Sequence, residues 1–141
     1  MTRPRRDAPP PTLPDVGLIG PGRAGVGLAL ALARAGYTVR LHGRHAKPVP
    51  APLRLTVGDG AAPPDWSAAT PVVLLAVRDD AIRPLATALA QAGAIHARHV
   101  VLHLSGSQGQ EALGPLVTTR AALGSLHPLQ TIVEPERAPA R

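Results

Sequence analysis

The stretch VGLIGPGRAGVGLALALARAGYTVRLHGR, residues 16–44, constrains the fold more than any other part of the chain. A short apolar run (16–19) meets glycines at 20, 22 and 25, spaced G-x-G-x-x-G. An Ala/Leu-rich run (24–36) and a second apolar run, YTVRLH (37–42), follow. Two parallel strands joined by a helix is the simplest arrangement that suits the period and length of each run. Gly36 falls where the helix should end on a residue free to take positive φ. In such a unit each glycine has a job that a side chain would obstruct. Gly20 ends the strand, Gly22 lets a pyrophosphate approach the backbone, and Gly25 lets the helix cross the strand closely. The free N–H groups of the helix start would face the phosphates. The alternative is a tight strand-to-helix turn that binds nothing, since a chain with 14 glycines can produce the spacing by chance.

Downstream the alternation continues. LRLTV (53–57) suits a third strand, and VVLLAV (72–77) a strand buried on both faces. Asp79 or Asp80 can cap a helix through AIRPLATALAQAG (81–93), with Pro84 in or near its first turn, where N–H groups have no helical partner. HVVLHL (99–104) reads as a strand, SQGQEALGPLV (107–117) as a short helix and AALGSLH (121–127) as a last strand. Tyr37 and Trp66 are the only large aromatics, so Val, Leu, Ile and Ala must fill the core, as in parallel sheets covered by helices. The expected fold is α/β, a doubly wound, mainly parallel sheet in three layers, with ligands at the carboxyl ends of the strands.

A length of 141 residues suits one domain, expected over 15–133 between a disordered Pro/Arg-rich arm (1–14) and a tail (134–141). The absence of cysteine removes disulfides and thiolate chemistry and is compatible with the cytoplasmic location expected here. The basic opening lacks the apolar segment of a secretory signal, and no run approaches a membrane span. Net charge is +6, but the arginines are spread along the chain without aromatic residues between them, so neither nucleic acid nor a membrane is expected as a partner. No histidine combines with carboxylates at a metal-binding spacing, so no metal is expected.

The second strand should end in the residue that reads the adenosine ribose. An NAD-binding chain typically carries Asp or Glu there, whereas this one runs into His42, Gly43, Arg44 and His45. Arg44 is placed to pair with a 2′-phosphate, with His42, His45 and Lys47 as further donors, which favours NADP over NAD as cofactor. The alternative is a solvated basic loop.

Three stretches, VGLIGPGRAGVGLALALARAGYTV, VVLLAVRDDAI and VVLHLSGSQG…LGSLHPLQT, resemble one family in order and spacing. It is the N-terminal Rossmann-like domain of uncharacterised two-domain proteins, with a helical C-terminal domain, related to 6-phosphogluconate dehydrogenase and pyrroline-5-carboxylate reductase. The resemblance covers about 15–133. It implies that Gly20, Gly22, Arg23 and Ala24 surround the pyrophosphate, with Gly25 completing the cofactor-binding glycine motif, that Ala76, Val77 and Asp80 pass close to the cofactor, and that Ser105 and Gly106 lie near the nicotinamide. By the same analogy His127 ends a strand facing the cleft. Ser105 and His127 are the candidates for positioning or protonating a substrate. The alternatives are an N-capping Ser105 and satisfied histidines at 103 and 127.

The chain departs from the family in carrying Arg78 after the fourth strand, where proline is usual, and in stopping soon after HPLQT. The resemblance thus implies the NADP-binding domain of an oxidoreductase acting on a C=O or C=N group of a small molecule. In this chain it is expected to be incomplete as an enzyme, inactive or weakly active alone, and completed by a homodimer partner or a separate helical domain. The alternative is a non-catalytic NAD(P)-binding sensor or regulatory module.

Overall fold

The computed structural model describes residues 13–58 and 69–126. The described residues form a sheet of six parallel strands: β1 (Val16–Ile19), β2 (Val39–Gly43), β3 (Leu55–Val57), β4 (Val72–Leu75), β5 (Val100–His103) and β6 (Ala122–Ser125). Their order is β3-β2-β1-β4-β5-β6. The chain leaves β1 toward one edge and returns to the other edge from β4, so the direction of winding reverses between β1 and β4. This is the doubly wound arrangement expected from the alternation of strands and helices, and it opens a crevice at the carboxyl ends of β1 and β4.

Strand alternation sends successive side chains to opposite faces. On one face Val16, Leu18, Leu41 and Leu74 pack under helix α1 (Arg23–Arg34), which presents Val26, Ala29 and Leu30 at the i, i+3, i+4 spacing of a helical stripe. On the other, Ile19, Val73, Leu75 and Val101 meet Ile82, Ala86 and Leu89 of helix α2 (Asp79–Gln91), together with Leu113 and Leu116. Val73, Leu74 and Leu75 are all buried, so β4 is covered on both faces.

Both helices end in the same way. Past the last residue of α1 the N–H of Gly36 bonds to the carbonyl of Ala33 and that of Tyr37 to Leu32; past α2, Gly93 bonds to Ala90 and Ala94 to Leu89. The pattern needs a residue at positive φ, supplied by Gly36 (φ 101°) and Gly93 (φ 66°). Gly36 thus terminates α1 as its place in the sequence predicts.

Several expected elements shift. Helix α2 begins at Asp79 with Arg78 in the capping position, so neither Asp79 nor Asp80 caps it. Pro84 consequently lies in the second turn, where its missing N–H removes the i→i−4 bond to the Asp80 carbonyl. The short helix expected over 107–117 is a 3-10 helix, Gln110–Thr119, that starts later because residues 105–109 are taken up by a turn described below. Pro115 interrupts regular α hydrogen bonding, and the three-residue turn places Leu113 and Leu116 on one side. Arg83 ties α2 to this segment by donating to the Glu111 carbonyl at 3.1 Å. Ala76 and Val77 lie past the end of β4 rather than within it. His127 and most of the arm and tail fall outside the described residues. No helix among the described residues is long and apolar enough to cross a membrane.

Candidate functional site

The carboxyl edge of β1 is built by backbone crowding. Gly20 has φ 116°, and a Cβ there would collide with the Ala76 carbonyl oxygen at the end of β4. A Cβ on Gly25 would collide with the carbonyl oxygen of Gly20 and press on Leu18. Both glycines are therefore required for β1, α1 and β4 to meet. Gly22 is different. It has extended backbone (φ −75°, ψ −175°), and among the described residues nothing lies within 4 Å of a Cβ built on it.

Gly22 is also the residue preceding helix α1, where Ser, Thr, Asp or Asn would each supply the side-chain cap that α1 lacks. The first turn of α1 holds no acidic residue to offset its free N–H groups; it carries exposed Arg23 and Ala24 instead. The N-terminus of α1 thus combines an open approach, helix donors that no side chain among the described residues caps, and a cation. These residues fit a pyrophosphate.

Beside this turn, the end of β2 is held close. The Cβ that Gly43 lacks would run into the Pro21 ring, and Lys47 Nζ donates to the Pro21 carbonyl at 2.7 Å. The loop carrying exposed Arg44 and His45 is thereby latched against the glycine turn. His42 does not join them. It is buried at 8% exposure, its Nδ1 bonds to Thr56 Oγ1 at 2.7 Å, and its ring lies by Gly58 past β3. Asp80 is exposed and pairs with Arg78 at 3.1 Å, a contact between two solvated groups that contributes little to stability.

Past β5 the structure assembles groups that the sequence spacing does not reveal. Ser107 Oγ donates to Asp79 Oδ2 at 2.8 Å, and Gln108 Nε2 donates to the Asp79 carbonyl at 3.2 Å. Ser105 Oγ accepts the N–H groups of Ser107 (3.1 Å) and Gln108 (3.2 Å) and lies 3.2 Å from Ser107 Oγ. Because the Ser107 proton is given to Asp79, the Ser105 hydroxyl donates to Ser107, and both its lone pairs are occupied. Ser105 is therefore not the cap of the following helix, whose capping position is Gly109.

His103, fully buried, accepts the Ser105 N–H at Nδ1 (3.1 Å), which puts its proton on Nε2 for donation to the Gly109 carbonyl at 2.7 Å. It is a satisfied histidine. Asp79, Ser107 and Gln108 escape sequence reasoning because the residues that meet are 28 and 29 positions apart. The only signal is the polar run SGSQ directly after a strand.

The bond from the Ser107 hydroxyl holds the Asp79 carboxyl below the usual carboxylate range, and backbone N–H donors do the same for Glu111. No group of three or more His, Asp or Glu among the described residues is placed to hold a metal ion.

The family model described as Rossmann-like domain matches residues 1–128. No curated protein matches the sequence. Among solved structures, Plasmodium falciparum pyrroline carboxylate reductase with NADP bound is similar at 14% identity and TM-score 0.53, over 77% of this chain and 38% of that one. An imine reductase variant from Myxococcus stipitatus in complex with NAD+ aligns at 15% identity and TM-score 0.55, over 87% and 42%. The RCK domain of GsuK aligns at 20% identity and TM-score 0.56, over 79% and 24%. At these identities the likeness is one of fold. The chain spans about two fifths of the length of the two reductases.

Gly25→Ala should destabilise the fold by about 2 kcal/mol or more, whereas Gly22→Asp should match the wild type or exceed it by up to about 1 kcal/mol, because it adds a cap and a charge at the helix N-terminus. Urea denaturation of the two variants checks this. A carboxylate with a depressed folded pKa stabilises above its unfolded value and loses that contribution as pH falls through the folded one. Asp79→Asn should therefore be less stable than wild type by a constant amount from about pH 7 to 5. The two urea midpoints should converge below 3.8, the ordinary aspartate value.

Proposed function

From the premise that the chain belongs to the Rossmann-like domain family, we propose that its carboxyl edge binds NADP(H) as the cofactor half of an oxidoreductase acting on the C=O or C=N group of a small molecule. The observation that carries this reading is the contrast among the glycines. Gly20 and Gly25 are required by the fold, whereas Gly22 is required by nothing in the described chain and leaves open the space that a pyrophosphate would take.

In this reading the N–H groups at the start of α1, with Arg23 and Ala24, receive the pyrophosphate. The adenosine half lies toward the end of β2. Among the described residues no carboxylate stands there to accept bonds from ribose hydroxyls, and the exposed Arg44 guanidinium, on a loop latched to the turn by Lys47, is suited to a 2′-phosphate. NADP is accordingly favoured over NAD. The other half of the cofactor extends over Ala76, Val77, Asp80, Ser105 and Gly106. When bound, the nicotinamide supplies the hydride acceptor or donor. The protein orients the ring and shields it. His127, outside the described residues, is the proposed proton-transfer group, and contacts completing the substrate pocket come from a homodimer partner or a separate helical domain.

A second reading, a sensor that binds cofactor without turning over substrate, is favoured by one observation. The Ser105 hydroxyl is already engaged in three hydrogen bonds.

Calorimetric titration with NADPH and NADH tests the reading. NADPH is expected to bind about tenfold more tightly or better, and Arg44→Asp to remove the preference while leaving NADH affinity unchanged. Absence of binding by either at millimolar concentration would overturn it.

A further inference from the structure

The turn at residues 105–109 consumes nearly all its own donors. The N–H of Ser105 goes to His103 Nδ1, those of Ser107 and Gln108 to Ser105 Oγ, and that of Gly109 to Glu111 Oε1 at 2.9 Å. The Gly106 N–H alone stays outside this set, on an exposed residue at the carboxyl end of β5. A turn arranged in this way presents one backbone N–H.

What holds the turn is anchored on the neighbouring strand-to-helix junction. Asp79, the first residue of α2, accepts from Ser107 Oγ with its carboxylate and from Gln108 Nε2 with its carbonyl. Ser107 in turn accepts the proton of Ser105. Removing the Asp79 carboxylate thus loosens Ser107, and with it the hydroxyl that fixes two of the turn's N–H groups.

A dinucleotide with its pyrophosphate at the start of α1 and its adenosine toward β2 must carry its remaining half across β4 and β5. That places the half near Gly106. We propose that Asp79 is a positioning residue that, through Ser107 and Gln108, holds the turn so that the Gly106 N–H donates to a carbonyl oxygen on the nicotinamide half of the cofactor. The proposal rests on the NADP(H) reading, and it assigns the hydrogen bond to the backbone of residue 106 instead of the Ser105 hydroxyl.

The test is amide NMR of the full chain titrated with NADPH and with 2′,5′-ADP, which carries the adenosine half alone. Amides at 20–25 should respond to both ligands, and the Gly106 amide proton should move downfield with NADPH only. In Asp79→Ala the Gly106 response should vanish and NADPH affinity fall about tenfold, with 2′,5′-ADP affinity unchanged. Asp79→Asn, which keeps an acceptor oxygen, should recover most of both. The proposal is overturned if Gly106 stays silent while 20–25 respond, if Asp79→Ala changes neither readout, or if it weakens both ligands equally. Silence of 20–25 toward both ligands would instead remove the cofactor reading, and the proposal with it.

Discussion

Three backbones meet at Gly20. The α-carbon of that residue faces the Ala76 carbonyl past β4, and its own carbonyl lies under Gly25 in the first turn of α1. Crowding of this degree leaves no room for a Cβ on either glycine, and it brings the helix N-terminus directly over the crevice between β1 and β4. The placement of Gly43 beneath Pro21 then draws the end of β2 toward the same point. The rest of the carboxyl edge is arranged around these contacts, because a helix set farther from β1 would aim its free N–H groups away from the crevice.

The edge divides chemically on either side of that point. Over β1 and β2 stand Arg23, Arg44, His45 and Lys47, exposed and suited to phosphate. Over β4 and β5 the polar groups bond mainly to one another, from Asp79 through Ser107 and Ser105, with His103 holding the turn from beneath. The β1–β2 half offers exposed cations, whereas on the β4–β5 half Arg78 pairs with Asp80 and the Asp79 carboxylate is engaged by Ser107. A ligand with a phosphorylated end and a planar amide-bearing end matches this division.

Much of the fold was legible because it depends on local pattern. The apolar runs at 16–19 and 72–77, the Ala/Leu stripe of α1 and the helix-ending Gly36 each announce themselves within a few residues, and their alternation yields the doubly wound sheet. What depended on contacts between distant residues was not legible. Asp79 reads as a helix cap until Ser107 draws its carboxylate away, and the segment at 107–117 reads as a helix until the turn at 105–109 and Pro115 shorten and tighten it. His42 looks like a donor for the ribose end because nothing in the sequence shows that Thr56 will pair with it. Ser105 looks like a free hydroxyl for the same reason. The glycine triplet shows the converse. Its spacing is visible in the sequence, but only the structure separates the two glycines that the fold requires from the one that it does not.

A variant at Gly22 tests this separation directly. Gly22→Asp keeps a residue well suited to begin α1 while placing a side chain and a negative charge in the open space. The variant is first shown to unfold at or above the wild-type urea midpoint, and NADPH is then titrated into both proteins by calorimetry. Wild type is expected to bind and the folded variant to lose at least about a hundredfold in affinity, as steric exclusion and like-charge repulsion at a phosphate site require. Equal affinity of the two proteins would contradict this expectation.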